Sequence, residues 1–319
     1  MSATAPAMGT SDAMEHTRAL LTSADAGRRR TDRIMTVLIY AAFVIAMAPL
    51  VSLLWTVVSE GITRLDMDFL TYSMRGVFGG MDAGGAYHAI IGTVVITLCA
   101  AVISVPIGLL TAIYLVEYGR GPLARAVTFF VDVMTGIPSI VAGLFAISLF
   151  TIFFGPGVRM GVIGAVALSV LMVPVVVRSC EEMLKLVPNE LREASYALGV
   201  PKWLTVIKVV LRTSVAGLTT GVLLSVARVI GETAPLMVTV GFTDSINFNP
   251  FDGRMTTLPT FIWTQFRQGT VPCRADQVDC IADINYMRAW AAALTLIIIV
   301  MLLNLLGRLV TRWFSPKLR

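Results

Sequence analysis

The chain has 319 residues, of which 56% are hydrophobic and only 14% charged, and its mean hydropathy is +0.80. A soluble domain is usually about a quarter charged, so an ordinary water-soluble fold is excluded and an all-α polytopic membrane protein is expected. The net charge of +5 is a poor argument for nucleic acid, because few basic residues cluster outside the loops.

Residues 1–27 are polar and small, rich in Ala, Thr and Ser, and predict a disordered cytoplasmic tail over 1–30 ahead of a membrane domain over 31–319. Charge-free intervals follow at 34–59, 83–116, 133–158, 160–177 and 289–307. Each reaches or approaches the roughly 20 residues that cross the hydrocarbon core as a helix. A sixth span is expected around 212–231, where the apolar pattern continues past Arg228. The first interval lacks a small-x-small cleavage site and reads as a retained helix. With the N-terminus inside, inner segments hold 17 of the 25 Lys and Arg and outer segments 7, with Arg228 in the sixth span itself. That bias follows the positive-inside rule with both termini cytoplasmic.

The second span, about 88–116, contains Pro106 and Gly108 and predicts a bend. His88 at its start reads as an interface anchor. The third, about 126–153, has an irregular centre at Thr135-Gly-Ile-Pro-Ser-Ile140. Pro138 removes a helical hydrogen bond and Gly136 permits close approach of another helix. A broken helix lining a cavity and a kinked packing helix both fit this pattern. The fourth span is expected over about 160–178.

Residues 179–211 change character, being charged yet helical in pattern. Asn189 can cap a short helix, Gly199 can end it, and Pro201 suits the first turn of the next. Two short helices joined by a sharp bend would expose Leu191, Ala194, Tyr196, Leu198 and Trp203, either to a partner or to the membrane surface. The fifth span then leads into an outer loop over 232–288, whose apolar pieces 233–243 and 258–266 read as re-entrant or surface segments. Cys273 and Cys280 share this loop, and a disulfide and two free thiols are both open. The final span, about 289–308, ends near Trp313.

The chemistry-bearing residues are few. Arg228 lies in Gly221-Val-Leu-Leu-Ser-Val-Ala-Arg-Val-Ile-Gly-Glu-Thr-Ala-Pro235, with Glu232 four residues on. A charge at membrane depth is costly and usually faces a protein interior or a water-filled path. Arginine offers a fixed charge and a fork of donors matched to oxyanions. The competing reading is a structural ion pair with Glu232 or a partner subunit. No GxxxxGK[ST] phosphate loop occurs, and no Ser/His/Asp or metal cluster suggests hydrolysis.

The stretch Glu193-Ala194-Ser195, Gly199, Ile207 and Val-Val-Leu211 resembles the coupling motif of ABC importer membrane subunits, departing from it at Arg212, where proline is common. The segment Arg228-Val-Ile-Gly-Glu-Thr-Ala-Pro235, with Gly136-Ile-Pro-Ser-Ile-Val-Ala-Gly143, resembles the membrane subunits of inorganic-phosphate importers, the A-type more than its sister. The resemblance covers roughly residues 30–312. It implies a six-helix permease fold in the bacterial inner membrane and a homologous permease partner. It also implies two ATPase subunits carrying ATP and Mg, and an extracytoplasmic phosphate-binding protein. Glu193, Ala194, Gly199, Ile207 and Leu211 would then dock the ATPase. Arg228, Glu232 and Arg178 would line the path, although Arg178 alone reads as a snorkelling boundary charge. Importers of sulfate or molybdate share this architecture, and a gradient-driven transporter is the alternative from a different class.

Overall fold

The computed structural model describes residues 14–15, 26–273 and 280–314. Two units are distinguished, one up to Thr56 and one from Val57 onward. The first is dominated by α1 (Ala26–Gly61), an apolar helix whose side chains from Ile34 to Leu54 are largely exposed. It begins inside the expected 1–30 tail. Arg28, Arg29 and Arg30 are good helix formers and carry the helix beyond the hydrocarbon interval. Residues 1–13 and 16–25 of that tail lie outside the described residues, as does the side chain of Trp313.

The second unit runs α2 (Met67–Thr71), α3 (Tyr87–Ile113), a π-helical turn (Tyr114–Tyr118), α4 (Gly121–Thr135) and α5 (Ser139–Phe154). It continues with α6 (Gly161–Lys185), α7 (Asn189–Ala197), α8 (Lys202–Thr205), a second π-helical turn (Val206–Val210) and α9 (Leu211–Val229). α10 (Ala234–Thr239), α11 (Leu258–Gln268) and α12 (Ile284–Phe314) complete it. Five helices among the described residues are long and apolar enough to cross a membrane, and six spans result if α4 and α5 form one.

Helix packing is built on small residues, as expected where no hydrophobic force separates helix from lipid. α3 and α6 run parallel. An added Cβ at Gly108 would lie 2.6 Å from Val176, and Ser169 Oγ donates to Ala100 O at 3.4 Å. Ile96, Ala100, Leu168, Met172, Val176, Val229 and Leu236 join α3, α6, α9 and α10 in the main core. A second core gathers Phe69, Ala89, Leu258, Phe261 and Ala291 from α2, α3, α11 and α12.

Several expected boundaries move. The third span is not a kinked helix but two helices bent by 106°, with Pro138 capping the second. Gly136 has only its own Val133 O nearby, at 3.5 Å. The close approach is instead at Gly143, whose added Cβ would lie 2.7 Å from Pro235 Cα. α6 continues past residue 178 to Lys185, supported by the Lys185–Glu181 pair at 2.7 Å one turn apart. The second of the two expected short helices is continuous with the fifth span, forming one element over Lys202–Val229. α12 starts at Ile284 because Arg288 is buried rather than held at the membrane edge. His88 is buried edge-on to Phe261, with ring centroids 5.4 Å apart, and is no interface anchor.

Candidate functional site

Arg228 sits on the last turn of α9. Gly221, Ser225 and Val229 form the buried face of that helix, while Leu224 and Arg228 lie on an exposed one. Two glycines fix the register against antiparallel α6: an added Cβ at Gly217 would meet Met183 at 2.7 Å, and one at Gly221 would meet Ser179 at 2.9 Å. Continuing that register sets Arg228 level with Met172, near the middle of the 25-residue α6. The backbone of Arg228 is therefore level with the middle of α6. Among the described residues, the ion pairs engage Arg64, Arg178, Lys185 and Arg192, and neither Arg228 nor Glu232.

The expected Arg228–Glu232 contact within one helical face is thus not made. α9 ends at Val229, and the chain turns through Gly231, with Glu232 N donating to Val229 O at 3.1 Å. An i,i+4 pair needs an unbroken turn, and Glu232 has left the helix.

Arg178 lies about two turns before the Lys185 end of α6, about 10 Å from the level of Arg228 towards that end by helical rise. It is neither free nor a simple boundary charge. Its Nη2 pairs with Asp132 on α4, and its Nη1 with Glu181 Oε2 at 2.8 Å. Glu181 in turn holds Lys185. The lone acid of α4 thereby ties the bent pair to α6.

The bent segment between α6 and α9 is built by backbone chemistry. Asn189 is the first residue of α7 rather than its cap, a place taken by Pro188, and its Oδ1 accepts from Arg192 at 3.3 Å. Gly199 closes the helix at φ +75°, with Gly199 N donating to Tyr196 O at 2.9 Å and Val200 N to Ser195 O at 3.2 Å. These are the two bonds of a Schellman closure. Ser195 and Thr205 hydroxyls bond across the bend at 2.8 Å, joining α7 to α8. Leu191, Glu193, Ala194, Tyr196, Leu198, Gly199, Trp203 and Ile207 are exposed around this bend. Leu211, expected with them, is half-buried against the main core instead.

Towards the end of the helices opposite the bend, Cys273 and Cys280 are disulfide-bonded with Cα atoms 5.7 Å apart. Beside the bridge, Cys280 pairs with Met81 in an isolated antiparallel β-bridge, and Ile281 N donates to Gly80 O at 2.8 Å. Sequence reasoning missed the residues that organise this end. Arg288, 1% exposed, donates to Met81 O at 2.7 Å and Ala83 O at 2.8 Å. Arg64 pairs with Asp66 at 2.7 Å and Asp82 at 3.5 Å. The one available signal was position: Arg288 immediately precedes a charge-free interval. No metal-binding group of three His, Cys, Asp or Glu occurs among the described residues.

Residues 104–319 match the family of binding-protein-dependent transport system inner membrane components. The phosphate transport system permease protein PstA 1 of Mycobacterium tuberculosis is 48% identical over 286 residues, covering 89% of each chain. The PstA protein of Yersinia pestis is 37% identical over 287 residues, covering 89% of this chain and 91% of its own. Among solved structures, a bacterial alginate ABC transporter chain aligns with a TM-score of 0.61 at 11% identity, over 90% of this chain and 96% of its own. A chain of the MetNI methionine ABC transporter aligns at 0.52 and 21% identity, over 73% and 95%. At these identities the two structures speak for the fold alone, an ABC importer permease. The chain belongs to the binding-protein-dependent transport system inner membrane component family, in its branch of PstA-type phosphate transport permeases.

Proposed function

We propose that this chain is the A-type membrane subunit of an ATP-driven inorganic phosphate importer. It forms half of the translocation path beside a homologous permease, docks one of the complex's two ATPase subunits from the cytoplasm and receives phosphate from an extracytoplasmic binding protein. ATP and Mg belong to the ATPase subunits, and no residue of this chain performs catalysis. The 17 to 7 distribution of basic residues supports an inner-membrane topology with both termini cytoplasmic.

One structural observation carries the reading: Arg228, level with the middle of α6, has no ion-pair partner among the described residues. An uncompensated charge at a helix centre costs about 2.5–3.5 kcal/mol on insertion scales. Such a residue persists where an anion, water or a partner's acid meets it. Phosphate is singly or doubly charged and strongly hydrated, so apolar walls alone would exclude it, and Arg228 supplies the compensation. Arg178, about 10 Å further inward, offers a weaker attraction because Asp132 and Glu181 already share its charge. A strong site followed by a partly neutralised one lets an anion move inward without being trapped. Glu232, half-buried just beyond the end of α9, adds a negative charge on the outer side that limits retention at Arg228.

Energy enters at the cytoplasmic bend. The exposed rim of Leu191, Tyr196, Leu198 and Trp203 around Gly199 suits a groove on the ATPase. α9 grows from that bend as one continuous element with α8, so a displacement there moves Arg228 as a lever.

The test is uptake of radiolabelled phosphate by the complex reconstituted with its permease partner, ATPase and binding protein. Uptake that needs ATP and survives excess sulfate and molybdate supports the reading. Competition by sulfate or molybdate at equal concentration would assign the path to another oxyanion, and uptake without ATPase would point to a gradient-driven carrier.

A further inference from the structure

The cytoplasmic ends of α3, α6 and α7 meet at one guanidinium. Arg192 of α7 donates Nε and Nη2 to Glu117 Oε1 at 3.0 and 2.9 Å, and Nη2 also to Leu184 O at 3.1 Å. Its Nη1 reaches Val187 O and, at 3.3 Å, Asn189 Oδ1. The two side chains are only 12% and 4% exposed. Glu117 lies 75 residues earlier, in the π-helical turn that extends α3. Arg192 points inward from the same short helix whose Leu191, Glu193 and Ala194 point outward.

A buried ion pair is weak evidence for added stability, because desolvating both charges offsets their attraction. Its geometry here serves connection instead. α6 reaches α7 through the chain, and α8 reaches it through Gly199 and the Ser195–Thr205 bond. α3 has no such covalent route. Among the described residues, its polar links to the bend are Glu117–Arg192 and the Lys202 ammonium 4.8 Å above the Tyr118 ring. The π-helical turns at Tyr114–Tyr118 and Val206–Val210 both lie where a spanning helix meets the bend. Such turns are frequent at functional sites.

We infer that the Glu117–Arg192 pair is the joint through which movement of the docking bend is transmitted to α3, making both residues positioning residues of the transport cycle. The inference rests on the reading of the bend as the ATPase-docking surface. A joint of this kind predicts uncoupling on its loss: ATP is still hydrolysed, but less phosphate moves per ATP. A residue that only stabilised the fold would lower uptake and hydrolysis together, in proportion to the amount of assembled complex.

The experiment measures phosphate uptake and ATP hydrolysis on the same reconstituted full complex, for wild type, Glu117→Ala, Glu117→Gln and Arg192→Lys. Glu117→Ala removes the acceptor, and Arg192→Lys keeps the charge but loses the fork. Both should recruit the ATPase and lose about tenfold in uptake per ATP, within the range by which single residues alter coupling between sites. Glu117→Gln keeps a carbonyl oxygen for Arg192 and should lose no more than about threefold. Unchanged uptake per ATP in Glu117→Ala would overturn the joint. So would a proportional fall of both rates, or failure of both Glu117→Ala and Arg192→Lys to assemble, since the pair would then serve structure alone. A wild-type chain that recruits no ATPase would overturn the docking reading itself, and the joint with it.

Discussion

Replacing Gly199 by alanine tests whether the docking bend is set by its backbone. Gly199 holds φ +75°, and an added Cβ meets nothing within 4 Å. The cost is therefore conformational rather than steric, about 1–2 kcal/mol for an L-residue in the left-handed region. It falls on the two Schellman bonds, from Gly199 N and Val200 N to Tyr196 O and Ser195 O. Lowering the local opening free energy by that amount raises the population of the opened bend by about 5- to 30-fold. Amide hydrogen exchange across residues 195–205 reads this directly. A matched control exists at Gly157, with φ +84° and equally open surroundings in the turn before α6, far along the chain from the bend. Gly199→Ala should speed exchange in the bend and weaken ATPase association, and Gly199→Trp should abolish association. Gly157→Ala should do neither. Equal ATPase association by Gly199→Trp and wild type would refute the argument that this closure shapes the docking surface.

Arg288→Met strips Met81 O and Ala83 O of their buried donor and should cost about 2–4 kcal/mol; thermal unfolding in detergent and proteolysis near residues 76–86 read the loss, and an unchanged midpoint would contradict it. The disulfide closes a short loop of sequence separation 7, so Cys280→Ser should cost about 2–3 kcal/mol of stability. An impermeant maleimide on intact cells should label wild type only after reduction, and labelling without reductant would show free thiols.

Local chemistry was legible in the sequence where a single residue dictates the backbone. Gly199 and Pro201 announced the bend, and Pro138 the break in the third span. Charge-free intervals located the spans but not the helix ends, because they mark the hydrocarbon layer and a helix continues past it wherever its polar residues find partners. Glu181 and Lys185 extend α6 in this way. The residues that hold the site together were not legible, since their partners are remote. Asp132 meets Arg178 across 46 positions, Glu117 meets Arg192 across 75, and Arg288 meets Met81 across 207. The apparent Arg228–Glu232 pair misled for the opposite reason. Spacing suggested a helical contact, but Gly231 lies in a turn after α9 has ended.

The most direct measurement is phosphate uptake by Arg228→Gln in a complex whose ATPase content matches wild type. Glutamine keeps a hydrogen-bonding amide, on a shorter side chain, but removes the charge proposed to meet the anion. The account predicts an assembled complex with uptake reduced by about a hundredfold, the cost of losing one charge-assisted contact of roughly 3 kcal/mol. Uptake at the wild-type rate would contradict it and leave Arg228 as a structural charge facing the partner permease.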